Sequence, residues 1–362
     1  MSEAPRRRLR AALAVVASCW LAGCGEPPPV RESLLVFGSE ARLELRGVAA
    51  ARARPTLQAA AAALQAMHRD WHPWQPGALT EFNAALAGGA VVPVPASLRG
   101  PLARSRELAA ASDGLFNPAI GGLVALWGFH TSDYPIQAPP PAAEALLAWR
   151  AAVPVLDDLE QVADGVRSRH PLLQLDFTAL AEGLAATALA GQLRAAGSDD
   201  ALIALGGDVH VLGRAGQRPW QVAIRDPFAP PGTAFAAVEL HDGEALFSSG
   251  SYARFREGPG GGRWPHVLDP RTGLPVRGVA TVAVLHDDPV LADAAATALM
   301  VAGPARLAEL AERMGVRCVL LLTEDDTLLL TAAMQARIRL QRAPARQAPL
   351  LPPAGPCRAP TG

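Results

Sequence analysis

The sequence predicts an α+β fold in which mixed sheets and helices pack into a single large domain that could comprise two lobes. Its length of 362 residues allows two units or one large domain. Half of the residues are hydrophobic, which is enough apolar material for a substantial core. Strand runs and helical runs both occur, but they do not alternate as regular βαβ units. This irregular order favours α+β over α/β.

The first half of the chain is mainly helical after an initial strand pair. Apolar alternation, Ala-rich helical periodicity and Gly stop signals define its elements. In chain order these are a strand pair at residues 33–47 that turns at Gly38, helices at 56–69 and 97–112, a strand at 172–177, and a helix at 180–196.

The second half is richer in strands, with Gly and Pro turns between them. Its elements are a strand at 201–205, a strand-rich stretch at 220–284, a helix at 291–314 interrupted at Gly303-Pro304, and a hairpin that joins 317–322 to 327–331. The globular domain is therefore placed at residues 33–342. The Pro-rich residues 343–362 lack periodicity and are predicted to form a disordered tail.

The N-terminus has the pattern of a secretory signal peptide over residues 1–24, with a basic segment followed by a short apolar run. Leu21-Ala22-Gly23-Cys24 resembles a bacterial lipobox, in which Cys24 would carry the lipid anchor. A membrane-spanning helix is the alternative, but the apolar run at 11–23 is shorter than the ~20 residues that a span needs. Residues 25–32 form a tether. We therefore expect a periplasmic protein anchored by lipid to the inner or the outer membrane.

Two cysteines remain after Cys19 leaves with the signal and Cys24 is lipidated. Cys318 lies in an apolar run, where a buried free thiol is the favoured interpretation, and Cys357 lies in the Pro-rich tail. A disulfide between them is the alternative. Two distant cysteines exclude a cysteine-based metal cluster.

Charge composition excludes several classes of function. The formal net charge is −1, and all 33 basic residues are arginines. A nucleic-acid-binding protein needs a surplus of cations to release counterions, so we expect no nucleic-acid partner. Chemistry that uses a lysine Schiff base or a P-loop lysine is excluded as well.

Two motifs could carry metal or phosphate chemistry. Gly206-Gly207-Asp208 follows an apolar strand, and glycines there permit close approach of a ligand, although an ordinary turn is the simpler interpretation. Asp293 and Thr297 are four residues apart and share one helical face. A carboxylate and a hydroxyl are hard oxygen ligands suited to Mg²⁺ or Ca²⁺, whereas spacing alone favours an N-capping Asp.

Two further motifs contain candidate catalytic groups. Residues 266–273 place His266 and Asp269 near a Pro-Arg-Thr-Gly turn, and an imidazole is a suitable general base near neutral pH. A structural turn would have the same composition. Ser248 to Tyr252 contain two further serines, but they lack the GxSxG pattern of serine hydrolases.

In order and spacing these motifs resemble the ApbE family of FAD:protein FMN transferases, from Phe37 to about Met334. The matching segments are Phe37-Gly38-Ser39, Trp74-Gln75-Pro76, Phe82-Asn83, residues 112–129, residues 175–183, residues 205–213, Ser248-Ser249-Gly250-Ser251-Tyr252, residues 266–275 and residues 292–303. Their number makes a chance match improbable.

The resemblance implies an ApbE-like flavin transferase fold and a Mg²⁺-dependent enzyme. Such an enzyme moves FMN from FAD to a Thr or Ser hydroxyl of an acceptor protein and releases AMP. The expected acceptor is a periplasm-facing subunit of an electron-transport complex with an exposed Thr or Ser. Because the chain has no lysine, a divalent ion would have to neutralise the pyrophosphate.

The resemblance also assigns residues. The expected Mg²⁺ ligands are the backbone carbonyl of Ala179 and the side chains of Asp293 and Thr297. The expected FAD contacts are Phe37, Trp74, Leu115, Phe116, Asn117, Asp176, Glu182 and Leu268. His266 and Asp269 are expected to deprotonate or orient the acceptor hydroxyl, and the sequence leaves open which of them is the base.

Several positions depart from the family pattern. Asn117 replaces an Asp, Ala78 replaces a Ser, and Thr187 stands where an Asp is frequent. Two alternatives to transfer therefore stay open. One is a protein that binds or stores FAD, and the other is a pyrophosphatase that hydrolyses FAD to FMN and AMP.

Overall fold

A computed structural model describes residues 27–258, 263–352 and 355–357. The predicted signal peptide, Cys24 and the first two tether residues lie outside this range. The described chain is a mixture of helices and largely antiparallel sheets, which confirms the predicted α+β class.

One nine-stranded sheet forms the centre of the described chain. Its neighbouring strands are antiparallel except for the last pair, which is parallel. In spatial order the strands are β1 (Val30–Val36), β2 (Ser39–Leu45), β5 (Ala201–Leu205), β6 (Asp208–Leu212), β9 (Ala245–Gly250), β14 (Val279–His286), β15 (Cys318–Thr323), β16 (Thr327–Leu330) and β18 (Arg346–Gln347).

Smaller sheets and the helices surround this sheet. The smaller sheets pair β3 (Leu159–Val162) with β4 (Gly165–Ser168), β10 (Phe255–Glu257) with β11 (Arg263–Pro265), β12 (Leu268–Asp269) with β13 (Leu274–Pro275), and β8 (Ala234–Leu240) with β7 (Trp220–Arg225) and β17 (Ile338–Leu340). The helices are α1 (Ala50–Trp71), α2 (Ala78–Ala87), α3 (Ala96–Ala111), α4 (Gly121–Leu126), α5 (Ala143–Ala151), α6 (Ala181–Ala195), α7 (Pro289–Arg313) and α8 (Ala332–Gln335).

Both faces of the large sheet are buried, as the sequence of β14 illustrates. Val282 and Val284 belong to a core that includes residues of α1, α6 and α7. Ala283 and Leu285 belong to a second core with residues of β7, β8 and α8. Because successive side chains of a strand point to opposite faces, the two cores lie on opposite sides of one sheet.

The helix α7 is the longest element of the first core. Its length and apolar composition would suit a membrane span, but most of its apolar window is buried inside the protein. It packs against β9, β14 and α6. The predicted interruption is present, because Gly303 has a non-helical φ of 69°.

The predicted strand at residues 172–177 is wrong. Gln174 makes only an isolated bridge to Ile120, and the rest of the segment is irregular. The side chain of Asn83 supplies the missing partners, since it accepts from the Leu175 N–H and donates to the Leu175 carbonyl, both at 2.8 Å. The Asp176 N–H donates to the Pro118 carbonyl at 2.9 Å. This irregular segment delivers Asp176 to the site.

Both ends of the domain extend beyond the predicted limits. β1 begins at Val30, so the last three residues of the predicted tether belong to the sheet. The expectation of a disordered tail is wrong for its described part, because β18 pairs with β16 and Leu351 bridges Thr331. The predicted free thiol at Cys318 is also wrong. Cys318 and Cys357 form a disulfide with Cα atoms 5.2 Å apart, inside the second core.

We expect Cys357→Ser to destabilise the protein by about 4 kcal/mol, because the disulfide closes a loop with a sequence separation of 39 residues. Chemical denaturation monitored by tryptophan fluorescence measures the change. Cys318→Ala should cost a similar amount, and dithiothreitol should lower the stability of the wild type but not of either variant. Insensitivity of the wild type to dithiothreitol would contradict the bond.

Candidate functional site

Three carboxylates from different elements interact electrostatically, and of these Asp208 and Asp293 are buried while Glu182 is half-buried. Glu182 is in the first turn of α6, Asp208 opens β6, and Asp293 is in the N-terminal part of α7. Burial raises the pKa of Glu182 to about 7. Burial, followed by repulsion from Glu182, raises the pKa values of Asp208 and Asp293 well above the usual range. Ionised acids in this arrangement destabilise the fold unless a cation accompanies them.

Backbone donors orient two of these carboxylates. Oδ2 of Asp293 accepts from the N–H of Gly183 at 2.9 Å, near the N-terminus of α6, whose dipole favours a negative charge. Gly183 is needed for this contact, because a Cβ there would lie 2.5 Å from the Pro289 carbonyl oxygen. Oδ1 of Asp208 accepts from the N–H of Ser248 at 2.7 Å.

The Gly206-Gly207 pair serves both as a turn and as a point of close approach. It connects β5 to β6 with positive φ angles of 63° and 121°. A Cβ on Gly206 would lie 2.9 Å from Oε1 of Glu182 and 2.8 Å from Oγ of Ser39. The turn that the sequence favoured is therefore present, and it also brings β2 and α6 close to Asp208.

The donor set around Asp293 fits a hard divalent cation. Thr297 lies one helical turn after Asp293, and its hydroxyl is 3.0 Å from that of Ser249. Ala179 is in the turn that immediately precedes α6. Among the described residues no three His, Cys, Asp or Glu side chains form a metal cage. A carboxylate and a hydroxyl on one helical face need no such cage, and hard oxygen ligands of this kind suit Mg²⁺.

Phe37 occupies a strained turn between β1 and β2. Its φ is 52°, a value that bulky residues rarely adopt. The backbone is held on both sides, because its N–H donates to Nδ1 of His68 at 3.1 Å and its carbonyl accepts from Nη2 of Arg254 at 2.7 Å. The ring stacks on Trp71 with centroids 6.4 Å apart. Strain maintained in this way is typical of functional positions.

A second aromatic group surrounds Trp74. His130 stacks on its indole with centroids 5.3 Å apart and an interplanar angle of 21°, and His72 meets it edge-on at 4.3 Å. Nε2 of His130 lies 3.1 Å from Oδ2 of Asp176. Burial would raise the pKa of Asp176, but hydrogen bonds from His130 and Thr178 outweigh it and hold the pKa below its usual value. Asp176 is therefore a buried anion at neutral pH.

His266 and Asp269 occupy different environments. Burial and the charge of Arg254 lower the pKa of His266 to about 4, so its imidazole is neutral at pH 7. Nδ1 lies 3.2 Å from the Arg254 carbonyl, which can only accept, and the lone pair is therefore on Nε2. Asp269 instead caps its own turn through the Arg271 N–H and pairs with the Arg271 guanidinium at 2.8 Å.

The remaining residues that the resemblance assigns to FAD are buried in cores or hydrogen-bonded within a loop. Leu115 and Phe116 are buried in the first core. Asn117 donates to the Pro154 carbonyl and accepts from the Ala119 N–H, and so shapes the loop that bonds to Asp176. Leu268 is buried in a third cluster with Trp127 and other residues.

Sequence reasoning missed four side chains of this site as individual residues. They are Asp208, His130, Ser249 and Arg254. Asp208 and Ser249 lie within the family motifs at residues 205–213 and 248–252, but the sequence assigned neither residue a role. Arg254 could have been suspected as a cation near SSGSY, whereas His130 offered no signal because its partners Trp74 and Asp176 are distant in the chain.

Comparison with known proteins shows the family of this chain. The sequence profile of the ApbE family matches residues 37–320. This chain belongs to the ApbE family. The predicted family is thereby confirmed.

Similar proteins carry related names. A protein of Rhodobacter capsulatus called FAD:protein FMN transferase is 44% identical over 92% of this chain. The match spans 64% of that relative's length. Among solved structures, the flavin transferase ApbE from Vibrio cholerae covers 86% of this chain with a TM-score of 0.74 at 23% identity. The ApbE protein from Thermotoga maritima covers 86% with a TM-score of 0.77 at 22% identity. Both structures are matched over their full length, which confirms the ApbE-like fold.

Proposed function

We propose that this ApbE-family protein transfers FMN from FAD to a Thr or Ser hydroxyl of an acceptor protein, depends on Mg²⁺ and releases AMP. The observation that carries the proposal is the interacting set of Glu182, Asp208 and Asp293. Thr297 follows Asp293 by one helical turn, and the charge of Arg254 acts on both Glu182 and the neutral His266. The name of the Rhodobacter capsulatus relative supports the flavin donor and the transfer.

Asp293, Thr297 and the carbonyl of Ala179 would hold Mg²⁺. When bound, the ion would neutralise charge on the FAD pyrophosphate and orient it for in-line attack. Arg254 adds a fixed positive charge close to Glu182 and His266, whose pKa values it lowers. Because the chain has no lysine, we assign to this arginine the side-chain positive charge near the FAD phosphates.

His266 is the better placed base of the two candidates. It would accept the proton of the acceptor hydroxyl on Nε2 while the hydroxyl oxygen attacks the phosphorus of the FMN half. The phosphoanhydride bond then breaks and AMP leaves. Asp269 has both carboxylate oxygens engaged by Arg271, so we assign it to shaping the turn after His266.

The FAD rings would be held by Phe37 and the Trp74 group. We expect Phe37→Asn to weaken FAD binding about tenfold, since stacking on an aromatic side chain is worth ~1–3 kcal/mol per ring. Stability should change little, because Asn tolerates positive φ and the backbone bonds of residue 37 remain. Fluorescence titration with FAD and thermal melting measure the two effects. Phe228→Asn, at an exposed position, is the control.

We also propose that the protein is exported and lipid-anchored through Cys24. The Cys318–Cys357 disulfide supports an oxidising compartment such as the periplasm. Only five residues separate Cys24 from the first strand, which begins at Val30. They span at most about 18 Å when extended, so the domain would lie close to the membrane. This position suits an acceptor in a membrane-bound electron-transport complex.

Three departures from the family pattern leave the carboxylates intact. Asn117 makes two hydrogen bonds, the Thr187 hydroxyl donates to the Gly183 carbonyl at 2.9 Å, and Ala78 starts α2. Each replacement is accommodated by local structure, so the departures do not argue against transfer.

The decisive experiment uses the protein without residues 1–24, together with FAD, Mg²⁺ and an electron-transport subunit from the same organism that exposes a threonine. We expect a fluorescent covalent flavin on the subunit and none on its Thr→Val variant. Tight FAD binding without labelling would contradict transfer and indicate storage. AMP release without labelling would indicate a pyrophosphatase.

A further inference from the structure

A buried arginine, Arg256, holds the loop at residues 127–139, which carries His130. Arg256 is 1% exposed, and its Nη1 donates to the Trp127 carbonyl at 2.7 Å. Its Nη2 donates to the carbonyls of Ala138 and Pro139. Both ends of the loop are therefore bonded to one guanidinium. His130 follows Phe129, which is itself buried. The position of the imidazole is thus set by the fold.

His130 makes two different contacts from this position. Its ring stacks on Trp74, and its Nε2 bonds to Asp176. The His130 and Asp176 side chains are 11% and 4% exposed. Trp74 and Asp176 come from separate parts of the chain. His130 contacts both of them directly.

The other contacts of this pair do not replace His130. Oδ1 of Asp176 is taken by the N–H and the hydroxyl of Thr178, at 2.9 and 2.6 Å. These bonds fix only one end of the carboxylate, and His130 fixes Oδ2. His72 meets the Trp74 indole edge-on, whereas His130 stacks on it with nearly parallel rings.

We propose that His130 is a positioning residue that sets the relative orientation of Trp74 and Asp176 and thereby determines the affinity for FAD. This inference rests on the proposed function, which assigns Trp74 to FAD, and on the family resemblance, which assigns Asp176 to FAD as well. Because His130 acts through these two side chains, its loss should raise the dissociation constant for FAD by a larger factor than it lowers the rate at saturating FAD.

Three variants separate the two contacts. His130→Phe keeps a stacking ring and removes the hydrogen bond, His130→Asn keeps a donor and removes the ring, and His130→Ala removes both. Flavin fluorescence titration gives the dissociation constant for FAD without an acceptor. We expect His130→Ala to bind about tenfold more weakly and each of the other two about threefold.

A double-mutant cycle identifies the partner. In an Asp176→Ala background, His130→Phe should cause less than a twofold further change, because no acceptor is left for Nε2 of residue 130 to bond. Wild-type affinity in His130→Ala, or fully additive effects in the cycle, would overturn the proposal. So would an unchanged dissociation constant with a reduced turnover number at saturating FAD.

The same data distinguish this proposal from the proposed function. If the wild type binds FAD but labels no acceptor, transfer is contradicted, and the order of affinities among the variants still supports the role of His130. Thermal melting of each variant with and without FAD provides a further check. A positioning role predicts a smaller FAD-induced shift for His130→Ala, whereas a purely structural role lowers both melting temperatures equally.

Discussion

Asp293→Asn is expected to lower the transfer rate about a thousandfold or more while making the metal-free protein more stable. Losing a metal ligand removes several kcal/mol of transition-state stabilisation, and about 4 kcal/mol corresponds to a thousandfold. The gain in stability arises because one of three interacting acids becomes neutral. Asn can still accept the Gly183 N–H bond, so the cap of α6 is retained.

The stability gain should depend on pH in a defined direction. A carboxyl whose folded pKa is raised stabilises the fold below its ordinary pKa and loses that contribution as pH rises through the folded value. For Asp293 this window begins at the ordinary value of 3.8 and extends upward to its raised folded pKa. The gain in unfolding free energy of Asp293→Asn over wild type should therefore be small at pH 4 and largest at pH 8.

Urea denaturation in EDTA at both pH values, followed by transfer assays at limiting Mg²⁺, measures these effects. Asp164→Asn, in the exposed turn between β3 and β4, is the matched control and should change neither quantity. Addition of Mg²⁺ should stabilise the wild type and the control but not Asp293→Asn. Wild-type transfer by Asp293→Asn at limiting Mg²⁺ would exclude Asp293 as a ligand.

His266→Gln is expected to reduce the turnover number by a factor of about 10² to 10⁴ and leave the dissociation constant for FAD unchanged, as for the loss of a general base. Single-turnover labelling of the acceptor and FAD titration separate the two quantities. His241→Gln, at an exposed position, is the matched control.

The pH profile of the wild type gives an independent test of this base. Because the pKa of His266 is lowered to about 4, its protonation should not reduce turnover until the pH approaches 5. An ordinary histidine would lose activity near its usual pKa of about 6.5. A decline centred at 6.5 that disappears in His266→Gln would contradict the burial of this imidazole. Full activity of His266→Gln would assign the base elsewhere.

Local patterns were sufficient to predict much of the fold. The α6 and α7 helices, the β1–β2 hairpin and the β15–β16 hairpin follow from periodicity and Gly signals that span only a few residues. The prediction of a strand at residues 172–177 failed because the backbone there bonds to the side chain of Asn83 and to the loop after Asn117. No pattern within the segment contains that information.

The site was predictable where its residues share one element or one motif. Asp293 and Thr297 lie on one helix, and the family resemblance identified them as a pair. Their spacing alone had favoured an N-capping role for Asp293, which is wrong because Asp288 caps α7. The grouping of Asp208 with Glu182 and Asp293 depends on how β6, α6 and α7 pack, which spacing along the chain does not encode. The disulfide was missed for a similar reason, because it requires the tail to cross the second core.

The shared sheet has a consequence for dividing this chain into parts. Val282 and Val284 pack in one core, and Ala283 and Leu285 pack in the other. The same strand therefore contributes side chains to both layers. A fragment that keeps one layer would expose the opposite face of the sheet to water, as a continuous apolar surface prone to aggregation. Neither layer can therefore be expressed as a separate module, and the catalytic side cannot be transplanted without the disulfide-bonded side.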